Sequence, residues 1–179
     1  TVIKVPENLD LDFTASAGRM EYSSIKADNV KGHLLVKEGV LSIREAGMDM
    51  LGGFIRLNAD YDTRDMVRPI MKADFSLEQV GMKETFNSFD MIRKFAPSAS
   101  GVNGKVAMKF SFSSLLKEDF MPLIETISGS GKLKSDEVTL VESAVYDKLK
   151  ELLKLGRNYS NTFRDLDISF SVSDGKMTV

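Results

Sequence analysis

Apolar and polar residues alternate with a period of two along most of this chain. Leu9, Leu11, Phe13 and Ala15 alternate with Asp10, Asp12 and Thr14, and Ile55, Leu57, Ala59 and Tyr61 alternate with Arg56, Asn58, Asp60 and Asp62. The same holds for Met71, Ala73, Phe75 and Leu77, for Val106, Met108, Phe110 and Phe112, and for Leu166, Ile168, Phe170 and Val172. Successive side chains of a strand point to opposite faces, so each run predicts a strand with one apolar and one solvated face. Strands buried on both faces, as in parallel sheets, read as continuous apolar runs, so the alternation favours an antiparallel sheet.

Turn chemistry punctuates the pattern. A unit of strand, acidic turn and strand is expected three times: Leu34 to Ile43 around Glu38-Gly39, Leu133 to Leu140 around Asp136-Glu137, and Phe170 to Met177 around Asp174-Gly175. Glycine after Glu38 and after Asp174 supplies the positive φ of a tight hairpin, whereas Asp136-Glu137 needs another kind of turn. Gly52-Gly53 reads as a further connection or a bulge.

Two segments switch to helical spacing. Met82, Phe86, Phe89 and Ile92 form one stripe between Gly81 and Phe95, with Pro97 beyond it. Val141, Val145, Leu149, Leu152 and Leu155 form another, with Gly156 placed as a cap. Pro122 suits the first turn of a short helix running to Ile127. Pro97 to Gly101 and Gly156 to Asn161 read as loops. The expected fold is therefore α+β: an antiparallel, β-rich sheet with a one-sided apolar face and two main amphipathic helices packed on it or at its end. Residues 1–179 are expected to form a single domain.

Composition narrows the chemistry. With 24 basic and 26 acidic residues there is no positive field to attract nucleic acid. The absence of cysteine removes disulfides, thiolate zinc sites and cysteine nucleophiles. The single histidine, His33, reads as a structural or surface residue, because a metal site or triad needs partners the sequence does not show. The glycine pair Gly129 and Gly131 fails as a phosphate loop, because Leu133-Lys134-Ser135 continues as strand instead of opening a helix; it reads as a turn or bulge. No stretch approaches the roughly 18 apolar residues of a membrane-spanning helix. The start at Thr1-Val2-Ile3 and the stop at Lys176 to Val179 are expected to be cuts from a longer protein. No cofactor, metal or catalytic set is expected.

The C-terminal third, with Ile127-Ser128-Gly129-Ser130-Gly131-Lys132-Leu133, the segment holding Tyr146-Asp147-Lys148-Leu149, and the closing Phe163 to Gly175, resembles the end region of AsmA-like proteins. Gly32 to Ile43 followed by Leu51-Gly52-Gly53-Phe54 resembles the recurring strand, turn, strand and Gly-Gly pattern of that family, so the resemblance runs from about residue 29 onward. It implies a non-enzymatic, β-rich periplasmic segment of an inner-membrane-anchored protein of a Gram-negative bacterium, involved in outer-membrane biogenesis. It further implies lipid transport or shielding along an apolar β-groove, with phospholipid acyl chains and other envelope proteins as partners and with membrane association through other regions. The lipid-binding residues expected on this reading are Val106, Met108, Phe110, Phe112, Leu166, Ile168, Phe170 and Val172. The alternatives are a structural or protein-interaction domain with a closed core and, with least support, a hydrolase of envelope glycans.

Overall fold

The computed structural model describes residues 3–22, 25–89, 93, 97–117, 122–141, 147, 151 and 161–179. The described strands build one nine-stranded sheet in which spatial order equals chain order and every neighbouring pair is antiparallel. They are β1 Leu11–Tyr22, β2 Ile25–Lys37, β3 Val40–Met50, β4 Gly53–Asp62, β5 Ile70–Gly81, β6 Val102–Leu115, β7 Ser128–Leu140, β8 Thr162–Ser173 and β9 Lys176–Thr178. This meander follows from the alternation: each strand can bury only one face, and short connections place each beside its predecessor.

Three connections are two-residue hairpins with positive φ at both central positions: Glu38-Gly39 (49° and 77°), Leu51-Gly52 (55° and 73°) and Asp174-Gly175 (50° and 71°). Such turns match the right-handed twist of the strands they join. Within the strands Asn29, Glu45 and Gln79 also take left-handed backbone, each at or beside a register shift. Bulges of this kind bend and twist a strand, so the sheet is not flat.

Several expectations are corrected. The α+β arrangement with two main amphipathic helices gives way to a fold that is mostly a single antiparallel sheet, with one α-helix among the described residues. Of the stripe between Gly81 and Phe95, α1 covers Met82–Ser88 and Phe89 turns to extended backbone (φ −123°, ψ 111°), while Ile92 and Phe95 lie outside the described residues. Of the Val141 to Leu155 stripe, Val145, Leu149, Leu152 and Leu155 lie outside the described residues, as do 156–160 of the expected loop. Asp136-Glu137 is not a turn but lies inside β7, and Gly129 and Gly131 stand in the same strand. Pro122 to Ile127 contains only a 3-10 turn at Ile124–Thr126, and Pro97–Gly101 is a 3-10 turn where a loop was expected.

Packing is concentrated at one end of the apolar face. Ile55, Val80, Val106 and Val138 form a buried cluster, and Met82 of α1 packs against it together with Leu77, Leu133 and Leu166. Val80 is 0% and Val106 4% exposed. The opposite end is capped by the segment around Ile124–Thr126, where Gly175 donates to the Ile127 carbonyl and the Thr126 hydroxyl accepts from the Leu115 amide. No described helix is long and apolar enough to cross a membrane.

Candidate functional site

Register places the eight expected residues on one face of the sheet. β6 and β8 are not neighbours; β7 lies between them, and its contribution to the same face includes Gly129, Gly131 and Leu133. Cross-strand pairing runs Met48–Ile55–Leu77–Met108–Leu133–Ile168 in one row and Ala46–Leu57–Phe75–Phe110–Gly131–Phe170 in the next. A third row runs Ile43–Ala59–Ala73–Phe112–Gly129–Val172. Three adjoining rows of apolar or glycine positions thus cross six strands without a charged side chain.

The two glycines explain why aromatic rings gather here. Phe110 and Phe170 lie two strands apart, yet their ring centroids are 5.4 Å from each other, because Gly131 between them has no side chain. A Cβ at Gly131 would strike the Phe170 ring and come within 2.7 Å of the Lys109 carbonyl oxygen, and one at Gly129 would lie 2.7 Å from the Phe112 Cβ. Phe110 stacks on Phe112 at 5.2 Å, and Phe112 lies parallel to Phe75 at 6.0 Å. Offset ring pairs at such distances add about 0.5–1.5 kcal/mol beyond area burial.

Burial divides the eight residues. Val106 belongs to the closed cluster under α1, and Val172 is also buried. Met108, Phe110, Phe112, Leu166, Ile168 and Phe170 are half-buried, as are Leu57 and Phe75 beside them. The described elements packed on the sheet are α1 at one end and the 3-10 turn Ile124–Thr126 at the other, so the middle rows keep solvent contact. The eight expected residues lie on β6 and β8 of this patch, but Gly129 and Gly131 on β7 between them were missed as members of it. Their signal was the i, i+2 glycine spacing in phase with Leu133, which a strand reading would have placed on the apolar face.

A shallow pocket of about 190 Å³ continues the same face toward the Ile124–Thr126 end, lined by Leu41, Ile43, Ala59, Asp60, Tyr61, Met71 and Leu116. Desolvation raises the Tyr61 phenol above its ordinary value, and its hydroxyl donates to the Ile3 carbonyl.

The opposite face is ionic. Arg44 donates to Asp60 at 2.6 Å and to the Ala59 carbonyl, and the Ser42 hydroxyl also donates to Asp60. Burial pushes the Asp60 carboxyl up, but the Ser42 hydroxyl and the Arg44 guanidinium together outweigh it and hold the group below the usual aspartate value. The hydrogen bond from Lys132, with Lys134 on the other side, likewise lowers Asp167. Arg56 bonds Glu78 and lies 4.8 Å from the Phe54 ring centroid. His33 is engaged by Asp12 on this face.

Among the described residues no group of three or more His, Asp or Glu is arranged to hold a metal ion. The buried hydroxyls serve the backbone: Thr63 donates to the Gly39 carbonyl, Ser114 to the Leu115 carbonyl and Ser135 to the Lys105 carbonyl. What the arrangement offers a ligand is apolar area flanked by capped ends, backed by a charged face. No family model matches the chain, and neither the curated proteins nor the solved structures contain a match to it.

Proposed function

We propose that this chain shields lipid acyl chains on the apolar face of its sheet, as a non-enzymatic periplasmic segment of an inner-membrane-anchored protein of the bacterial envelope. The observation that carries the reading is the half-buried phenylalanine patch of Phe75, Phe110, Phe112 and Phe170, which is apolar across three rows and not closed by any described element. A strand of 12 residues such as β5 spans about 40 Å at roughly 3.3 Å per residue. Half the hydrocarbon core of a bilayer is only about 15 Å thick, so an acyl chain fits on the face along its full length.

The energetics suit transfer better than storage. Each methylene removed from water contributes about 0.8 kcal/mol, so ten contribute about 8 kcal/mol, within the range of the ordering cost of association. A chain leaving a bilayer exchanges one apolar surrounding for another, and its net gain is smaller still. Lipid is held against water but released to a membrane.

The buried cluster under α1 favours a second reading at that end, a closed structural or protein-interaction domain. Photo-crosslinking separates the two. With a benzophenone amino acid at Phe110 or Phe170 and phosphatidylethanolamine–phosphatidylglycerol vesicles, the lipid reading expects lipid adducts at both positions, absent from the same probe at Ser42 on the ionic face. Adducts equal at all three positions, or at none, would overturn it.

A further inference from the structure

We infer that the shallow pocket at Ala59 holds the methyl end of an acyl chain whose middle lies on the phenylalanine patch, an inference that rests on the lipid-shielding reading. The relief of the face leads there. In the row Ile43–Ala59–Ala73–Phe112 the two central side chains are single methyl groups, whereas the flanking rows carry Leu57 and Phe75 on one side and Tyr61 and Met71 on the other. Alternate residues of a strand share a face, so the alanines lie in a furrow between taller walls. The furrow is shut at Ala73, which is 2% exposed, and opens one strand further on, where Ala59 floors the pocket between Leu41, Met71 and Leu116.

Chemistry and size select the occupant. The polar groups in and beside the pocket are already engaged: the Tyr61 hydroxyl donates to the Ile3 carbonyl, the Ser114 hydroxyl to the Leu115 carbonyl, and the Asp60 carboxylate accepts from Ser42 and Arg44 on the ionic face. A polar ligand finds no partner there, and a hydrocarbon leaves none unpaired. The volume of about 190 Å³ exceeds the roughly 150 Å³ of a cavity that accepts benzene and falls short of the roughly 300 Å³ at which sites for whole small molecules begin. About six carbons fit, which is the end of a chain and not a complete ligand.

The pocket's position sets the direction of the chain. Neighbouring strands lie about 4.8 Å apart, so the three spacings from β4 to β7 cover about 14 Å, close to the roughly 15 Å of half a bilayer's hydrocarbon core. A chain with its methyl end at Ala59 therefore crosses the strands, with its middle over Phe75 and Phe112 on β5 and β6 and its ester end over Gly129 on β7.

Phosphatidylglycerol carrying a diazirine at the terminal carbon or at the middle of one acyl chain reads the two positions separately. The lipid is presented to the full chain in phosphatidylethanolamine–phosphatidylglycerol vesicles, and adducts are mapped by mass spectrometry. The terminal diazirine should label Leu41, Met71 or Leu116, and the central one Phe75 or Phe112. Ala59→Leu and Leu41→Phe, which fill the pocket from its floor and from its half-buried rim, should each cut terminal labelling there about tenfold, the equivalent of roughly two methylenes left in water, while central labelling persists. Circular dichroism checks that each variant is folded, and Leu41→Phe carries the test where the leucine at position 59 is not tolerated. Identical labelling by both diazirines, or pocket labelling indifferent to a folded variant, would overturn the inference and leave the shielding reading standing; no adduct on the apolar face with either lipid would overturn both.

Discussion

Gly131 shows how little the identity of one residue says until its neighbours are known. A glycine inside a strand costs roughly 0.5–1 kcal/mol relative to alanine through backbone entropy, so replacement by alanine would be stabilising on propensity alone. The Cβ would meet the Phe170 ring and the Lys109 carbonyl, however, and overpacking of that kind costs about 1–3 kcal/mol. The steric effect wins: Gly131→Ala should lower stability in a urea melt and displace Phe170 from Phe110, and an unchanged or raised midpoint would contradict the placement of the rings. Truncations grade the same face. Phe110→Ala, at a half-buried position, should cost about 1–2 kcal/mol, short of the roughly 3–5 kcal/mol of a fully buried phenylalanine, because part of its surface is already solvated. Val80→Ala removes two buried methyl equivalents at a 0% exposed site and should cost about 2–3 kcal/mol despite the smaller side chain. A Phe110→Ala loss well above that of Val80→Ala would mean that the middle rows are closed.

At the scale of elements the hairpins hold the clearest lesson. Glu38 sits at φ 49°, a conformation that costs an ordinary residue about 1–2 kcal/mol and that asparagine tolerates better. Glu38→Asn should therefore raise stability by about 0.5–1 kcal/mol, read as a higher thermal midpoint, while Gly39→Ala at φ 77° should lower it. Glu38-Gly39 and Asp174-Gly175 were legible as turns because glycine carried the signal. Asp136-Glu137 carried only polarity, which an exposed strand position satisfies equally well; here Arg164 answers Glu137 from β8. Alternation likewise exposed β4, β5, β6 and β8 without ambiguity, since each repeats a two-residue period over four apolar positions. The α1 region was legible as an apolar stripe, but the break at Phe89 was not, because the stripe continues through Phe89 while the backbone there is extended. β7, poor in large side chains, was the hardest strand to read: Gly129 and Gly131 hold their positions through what their neighbours fill.

Taken whole, the molecule is one sheet with two different chemistries back to back, and they should respond differently to pH. The hydrogen bond from Arg19 lowers Asp28, that from Arg64 lowers Asp62 and that from Lys132 lowers Asp167; at Asp60 burial opposes the shift, but Ser42 and Arg44 prevail. All four carboxyls therefore titrate in the folded chain below the ordinary aspartate value of about 3.9. In acid the unfolded chain binds more protons than the folded one at these sites, so their stabilisation is complete above about pH 5 and is lost as pH falls through the ordinary value toward the lowered ones. The apolar face has no titrating counterpart in its three middle rows. Thermal melts should hold a constant midpoint from pH 7 to about pH 5 and fall steeply below about pH 4. Asp60→Asn should flatten that fall more than Asp28→Asn, because Asp60 is partly withdrawn from solvent whereas the pair formed by Asp28 is screened. Hydrophobic burial itself does not titrate, so a dye that reports exposed apolar surface should gain signal only with the acid transition. A midpoint that stayed level to pH 3, or rose on acidification, would show that the ionic face contributes nothing to holding the strands in register.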